Sequence, residues 1–152
     1  MPVKRREVLS TLSAAAALGA LLPEVLAASE GQAPPEPLPS GVYLFDKLPV
    51  HKGEASEMRA ILKGRLATGE AIEVHETTLP PHGAPHPPHH HEHSEMWLIR
   101  EGTLEIYIAG KTQSLGAGSA AFVRSNEEHG VKNVSEQPVT YFVVAVGPGA
   151  DK

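Results

Sequence analysis

The sequence predicts an all-β domain, a sandwich or barrel of short antiparallel strands. Three observations predict it. Glycine and proline are abundant, with 14 of each among 152 residues, so chain breaks fall often. Between the breaks lie short runs that alternate apolar and polar residues or are apolar throughout, at the spacing expected of strands. No 3.6-residue apolar period stands out beyond residue 28. With 41% hydrophobic residues, the chain can build one domain with a real core but not two.

The first 28 residues are different in kind. Lys4, Arg5 and Arg6 precede the weakly apolar run LSTLSAAAALGALL and the small residues Ala27 and Ala28. That order is a basic region, an apolar region and a cleavage site. The start KRREVLS resembles a twin-arginine export signal, with Ser10 where that pattern usually has Lys. The apolar run of about 14 residues is short for a membrane span, which needs roughly 20. Residues 1–28 are therefore expected to be a cleaved signal peptide, leaving an exported, periplasmic protein with no stable membrane insertion. Cleavage after Ala27 removes three positive and two negative charges and takes the net charge from −5 to −6. A nucleic-acid partner would call for a basic stripe, and none is visible. The absence of cysteine excludes disulfides, zinc–thiolate sites and cysteine nucleophiles.

Residues 29–56 begin with the proline-rich SEGQAPPEPLPS and read as a linker and N-terminal extension. Strands are expected at VYLFD (42–46), EMRAILKGRL (57–66), AIEVHETTL (71–79), SEMWLIR (94–100), TLEIYIA (103–109), SAAFV (119–123), GVKNV (130–134) and TYFVVAV (140–146). Residues 148–152 are a tail. In TLEIYIA the residues Leu104, Ile106 and Ile108 share one side, so the strand is half-buried. In SEMWLIR both sides are apolar, with Glu95, Trp97 and Ile99 on one and Met96 and Leu98 on the other. That strand is expected to be covered on both faces. A carboxylate such as Glu95 in those surroundings needs a cationic partner, because an isolated buried charge is very costly.

The stretch HPPHHHEHSE, residues 86–95, supplies the partner. On an extended segment His89 and His91 point the same way, with Cα atoms roughly 6.5–7 Å apart, so two imidazoles can converge on one ion. Glu95 adds an anionic oxygen. His129 is the only histidine beyond residue 93, and it can bring a further ligand from a distant segment. Such nitrogen and oxygen donors suit Mn, Fe, Ni, Cu or Zn. His86, His90 and His93 read as rim or surface residues, and His75 can line the mouth of a barrel. Trp97 reads as core, and Arg124 as solvated or, alternatively, as a contact for an anionic substrate. A solvated histidine tract without fixed geometry is the competing reading, weakened by the echo at His129.

These residues resemble the two motifs of the cupin superfamily. The first is Gly, five residues, His, one residue, His, three residues, Glu, six residues, Gly. Gly83, His89, His91, Glu95 and Gly102 occupy every defining position. The second motif is matched by Gly118, His129 and Asn133, while Arg124 and Asn126 stand where the family has Pro and Gly. Asn tolerates a positive φ better than other non-glycine residues, so that turn is expected to survive. The resemblance spans about residues 57–147. It implies a single antiparallel jelly-roll β-barrel, metal ligands at His89, His91, Glu95 and His129, and open coordination sites. It implies a metalloenzyme, weakly favoured to be a dioxygenase-like oxidoreductase, acting on a small oxygenated organic substrate, with Glu95 able to move a proton. The alternatives are a non-catalytic binding module and an isomerase or lyase. A homodimer through the outward Met96 and Leu98 is expected.

Overall fold

The structure is a computed structural model that describes residues 36–152. The expected signal peptide and the start of the linker lie outside the described residues. Among the described residues, nine strands form two antiparallel sheets. They are β1 (Val50–Lys52), β2 (Glu57–Arg65), β3 (Ala71–Leu79), β4 (Ser94–Glu101), β5 (Thr103–Ile108), β6 (Lys111–Gly116), β7 (Ala120–Val123), β8 (His129–Lys132) and β9 (Val139–Val146). The larger sheet runs β1-β2-β3-β9-β4-β7 and the smaller β6-β5-β8. The interleaved order, with β9 between β3 and β4, gives the jelly-roll barrel expected from the motifs.

The core lies between the sheets. Leu79, Trp97, Ile99, Val123, Val139, Tyr141 and Val143 from the larger sheet meet Leu104, Ile106 and Val131 from the smaller. Register explains the choice. Glu73, Ala145 and Glu95 form one inward rung, His75, Val143 and Trp97 the next, and Thr77, Tyr141 and Ile99 a third. Polar residues therefore gather at one end of the inner face and apolar residues fill the rest.

Gly102 joins β4 to β5 at φ +79°, and a Cβ there would sit 2.7 Å from the Pro138 carbonyl oxygen. Only glycine fits both the dihedral and the contact. Asn126 takes φ +61°, so the turn expected to tolerate Asn in place of Gly is formed.

Three expectations are corrected. VYLFD is not a strand: the backbone makes a short 3-10 turn at Phe45–Lys47, and Val42, Tyr43, Leu44 and Phe45 are all exposed. The segment has strand-forming side chains but no neighbouring strand to pair with. Two strands were not expected, the three-residue β1 and the hairpin partner β6, whose sequence KTQSLG is largely polar and exposed. Finally, β4 is covered on one face only, since Met96 and Leu98 remain 38% and 39% exposed.

Candidate metal centre

The segment that carries the histidines, residues 80–93, is not a free loop. It runs antiparallel to β8 and the turn before it. His89 and His129 exchange both backbone hydrogen bonds, at 2.9 and 2.8 Å, and the Asn126 N–H donates to the His91 carbonyl at 2.8 Å. At its start, the Asn133 N–H donates to the Gly83 carbonyl at 2.9 Å. Close approach depends on Gly130, where a Cβ would meet Pro88 Cα at 3.2 Å. This pairing brings together side chains that are far apart in sequence.

His89, His91 and His129 offer ring nitrogens that lie within 4.8 Å of one another. Glu95 rises from β4 beside them, with Oε1 3.2 Å from His91 Nε2 and Oε2 3.7 Å from His129 Nε2. The three histidines come together, and Glu95 lies against two of them, His91 and His129. Two of the rings are fixed by the backbone. His91 Nδ1 lies 2.9 Å from the His93 carbonyl, and His129 Nδ1 lies 2.8 Å from the Glu127 carbonyl. A carbonyl can only accept, so Nδ1 carries the proton in each ring and Nε2 keeps its lone pair.

His89 Nδ1, His91 Nε2 and His129 Nε2 are buried without a hydrogen-bond partner. Buried polar atoms without partners are rare and costly. Three of them around one point, next to a carboxylate, are the donor set of a divalent transition metal, so the histidine triad fits a metal ion. Burial, reinforced by the imidazoles of His86, His129 and His91, lowers the His89 pKa to about 4. His89 is thus neutral near pH 7, which is its ligating form.

His93 is not a surface residue. Its ring stacks on His91 with centroids 3.5 Å apart, and its Nε2 lies 3.4 Å from Glu95 Oε1. Burial and the His91 ring lower its pKa. This placement corrects the rim or surface position expected for it; its parity with His89 and His91 is the signal that the sequence offers. His86 packs edge-on against His89 at 4.2 Å. Arg124 is 77% exposed and pairs with Glu127 at 3.5 Å, so its contact is on the surface.

A cavity of about 230 Å³ opens beside Glu95 and His129. Trp97, Tyr141, Val143 and Met58 form its walls, and His75 and Thr77 contribute polar atoms. His75 is thus one of the residues that line this cavity. Tyr141 was not singled out by sequence, because its alternating surroundings read only as core. A larger cleft of about 590 Å³ lies beneath Ala84–Pro88, against Glu105, Tyr107 and Lys132. It includes neither Glu95 nor His129 among its lining residues, so the smaller cavity is the one that adjoins the candidate centre.

Residues 75–145 match the cupin domain family. No curated protein matches the chain in sequence. Among solved structures, an RmlC-like cupin from Shewanella frigidimarina superimposes with a TM-score of 0.61 at 16% identity, over 74% of this chain and 96% of that one. The polyketide cyclase RemF from Streptomyces resistomycificus gives 0.60 at 21% identity, over 70% and 79%. A predicted oxalate decarboxylase from Thermotoga maritima gives 0.58 at 23% identity, over 70% and 98%. The domain match covers the barrel from within β3 to within β9, and the barrel shares its fold with these structures.

Proposed function

We propose that this protein is an exported, metal-dependent cupin enzyme that acts on a small oxygenated organic molecule, with dioxygenase-like oxidoreductase chemistry favoured. The observation that carries the reading is the convergence of three unpaired imidazole nitrogens and one carboxylate at the end of a cavity large enough for a small molecule. In this reading His89, His91, His129 and Glu95 hold one divalent ion from among Mn, Fe, Ni, Cu and Zn. When bound, such an ion supplies Lewis acidity toward a substrate oxygen. The chain's own residues supply the rest. The Nδ1–H groups of His91 and His129 fix the two rings. Glu95 Oε1, within reach of His93 Nε2, can hold a proton taken from a substrate hydroxyl. Trp97 and Tyr141 keep water from the cavity wall. The names of the cyclase and decarboxylase with the same fold favour non-oxidative lyase or isomerase chemistry as the second reading.

The test is oxygen uptake by iron-loaded protein over a panel of catechols, flavonoids, keto acids and thiols. Metal-dependent uptake with at least one of them is expected. Saturable binding without turnover of any kind would make the barrel a binding module. Export is tested separately, by finding the mature chain in the periplasmic fraction and losing it when Arg5 and Arg6 are replaced by Lys.

A homodimer is part of the proposal. Met96 pairs with Phe122 and Val144 across the sheet, and Leu98 pairs with Phe142, so these side chains share the outer face of β4, β7 and β9. Phe122 is 58% exposed, and an apolar patch of this kind marks an interface. Phe122→Lys is expected to turn a dimer into a folded monomer in sedimentation analysis. A parent chain that sediments as a monomer would refute this.

A further inference from the structure

The metal-centre reading leaves open what the centre accepts, and the cavity beside it bears on that. We infer that the site takes a small, flat ligand that meets the ion through adjacent oxygens and carries no second anionic group, a catechol-sized diol or enol rather than a carboxylated one. The inference rests on the proposed centre and deepens it.

Size comes first. A volume of about 230 Å³ would hold roughly eight waters at about 30 Å³ each, which is room for one ring with its oxygens. Shape comes second. Trp97 and Tyr141, each 2% exposed, present rigid aromatic surfaces, and the Trp97 ring lies 5.5 Å from that of His129. A flat ring extending from the ion packs against these surfaces at little entropic cost.

Charge decides the class. Among the described residues, none of those lining the cavity is Lys or Arg. The acidic groups on the same inner rung are Glu95 and Glu73, the latter 3.4 Å from His75. An ion at the centre balances an anionic oxygen bound to it. A carboxylate farther along the cavity would lose its water and face no counter-charge, which is unfavourable. Neutral oxygens, by contrast, find partners. His75, whose Nδ1 faces the Glu73 carboxylate at 3.4 Å, and Thr77 are polar groups on the same wall. Burial pushes the Tyr141 phenol far above its ordinary range, so it remains a donor.

The molecule contains its own reporter. Trp97 is the sole tryptophan of the chain and lines the cavity, so quenching of its fluorescence reads binding without turnover. Zinc-loaded protein, with zinc content measured on the same sample, is titrated with catechol, methylcatechol and protocatechuate. The last shares the chelating pair but adds a carboxylate. Saturable quenching by catechol is expected, with methylcatechol within about threefold and protocatechuate at least about tenfold weaker. His75→Leu is expected to weaken catechol several-fold while zinc content stays unchanged. Protocatechuate binding as tightly as catechol overturns the inference. Methylcatechol as weak as protocatechuate overturns it too, by showing that bulk rather than charge is rejected. So does a zinc-loaded protein that catechol does not quench. A sample that holds no zinc refutes the metal-centre reading itself, and this inference with it.

Discussion

Replacing His129 with alanine is expected to lower affinity for the bound divalent metal by at least about a hundredfold while leaving the barrel folded. Loss of a residue that merely orients a ligand typically costs 10–100-fold in metal affinity, so loss of the ligand itself costs at least that much. His129 is 1% exposed, its Nδ1 is committed to the Glu127 carbonyl, and its Nε2 has no other partner. The backbone bonds between residues 89 and 129 do not depend on the side chain, so the segment should stay in place. Elemental analysis after export and a competition titration measure the effect, and circular dichroism checks the fold. His91→Ala should behave alike, because its Nε2 is buried and unpaired in the same way. Unchanged metal content in both variants would remove the proposed centre.

Asn133→Leu is expected to cost the protein about 1–3 kcal/mol, as removal of a buried hydrogen-bonded polar group does. Asn133 is fully buried. Its amide nitrogen donates toward the carbonyls of Pro80 at 2.9 Å and Gln137 at 2.7 Å, with that of Leu79 at 3.3 Å. Its Oδ1 accepts from the Ser135 N–H at 2.9 Å and the Ser135 hydroxyl at 2.8 Å. One side chain thus ties the end of β3 to the β8–β9 turn, at the base of the segment that carries His89 and His91. Leucine is similar in volume but makes none of these hydrogen bonds, although the Pro80 carbonyl keeps the Gly83 N–H and the Gln137 carbonyl keeps the Ser135 hydroxyl. Thermal unfolding should show the midpoint falling by on the order of 10 °C. A midpoint within a degree or two of the parent would mean that the network contributes little.

The sequence shows these features unevenly, for physical reasons. β3 and β9 are legible to within a residue, because a run of eight or nine mostly apolar or alternating residues bounded by Pro or Gly has few other readings. β6 is hidden because it lies at the sheet edge and carries mostly polar residues. Its hairpin turns through Ala109 and Gly110 at φ +47° and +84°, and a bulky-side turn signal such as Asn-Gly is lacking there. VYLFD shows the reverse. Strand propensity reflects fit to a pleated, half-buried surface, and no such surface receives it. The apolar residues on both sides of β4 say that each face seeks cover, but not whether this chain or another provides it.

The site divides in the same way. His89, His91, Glu95 and His129 are legible because ligand spacing is local and their types are distinctive. His93 is not, since a single turn geometry decides whether its ring joins the cluster. Tyr141 and Thr77 are not legible either, because which inward rung lies next to the centre depends on the register of three strands.

The two donor segments also carry a consequence for endurance. With no cysteine in the chain, no sulfur bridge can cross-link it. An ion shared by residues 89–95 and His129 would serve as one, tethering the loop between them in the unfolded ensemble. By the chain-entropy account, closing a loop of several tens of residues is worth about 3–4 kcal/mol. Chelators would then act on this protein as reducing agents act on secreted domains, loosening a clasp that the polypeptide alone does not possess.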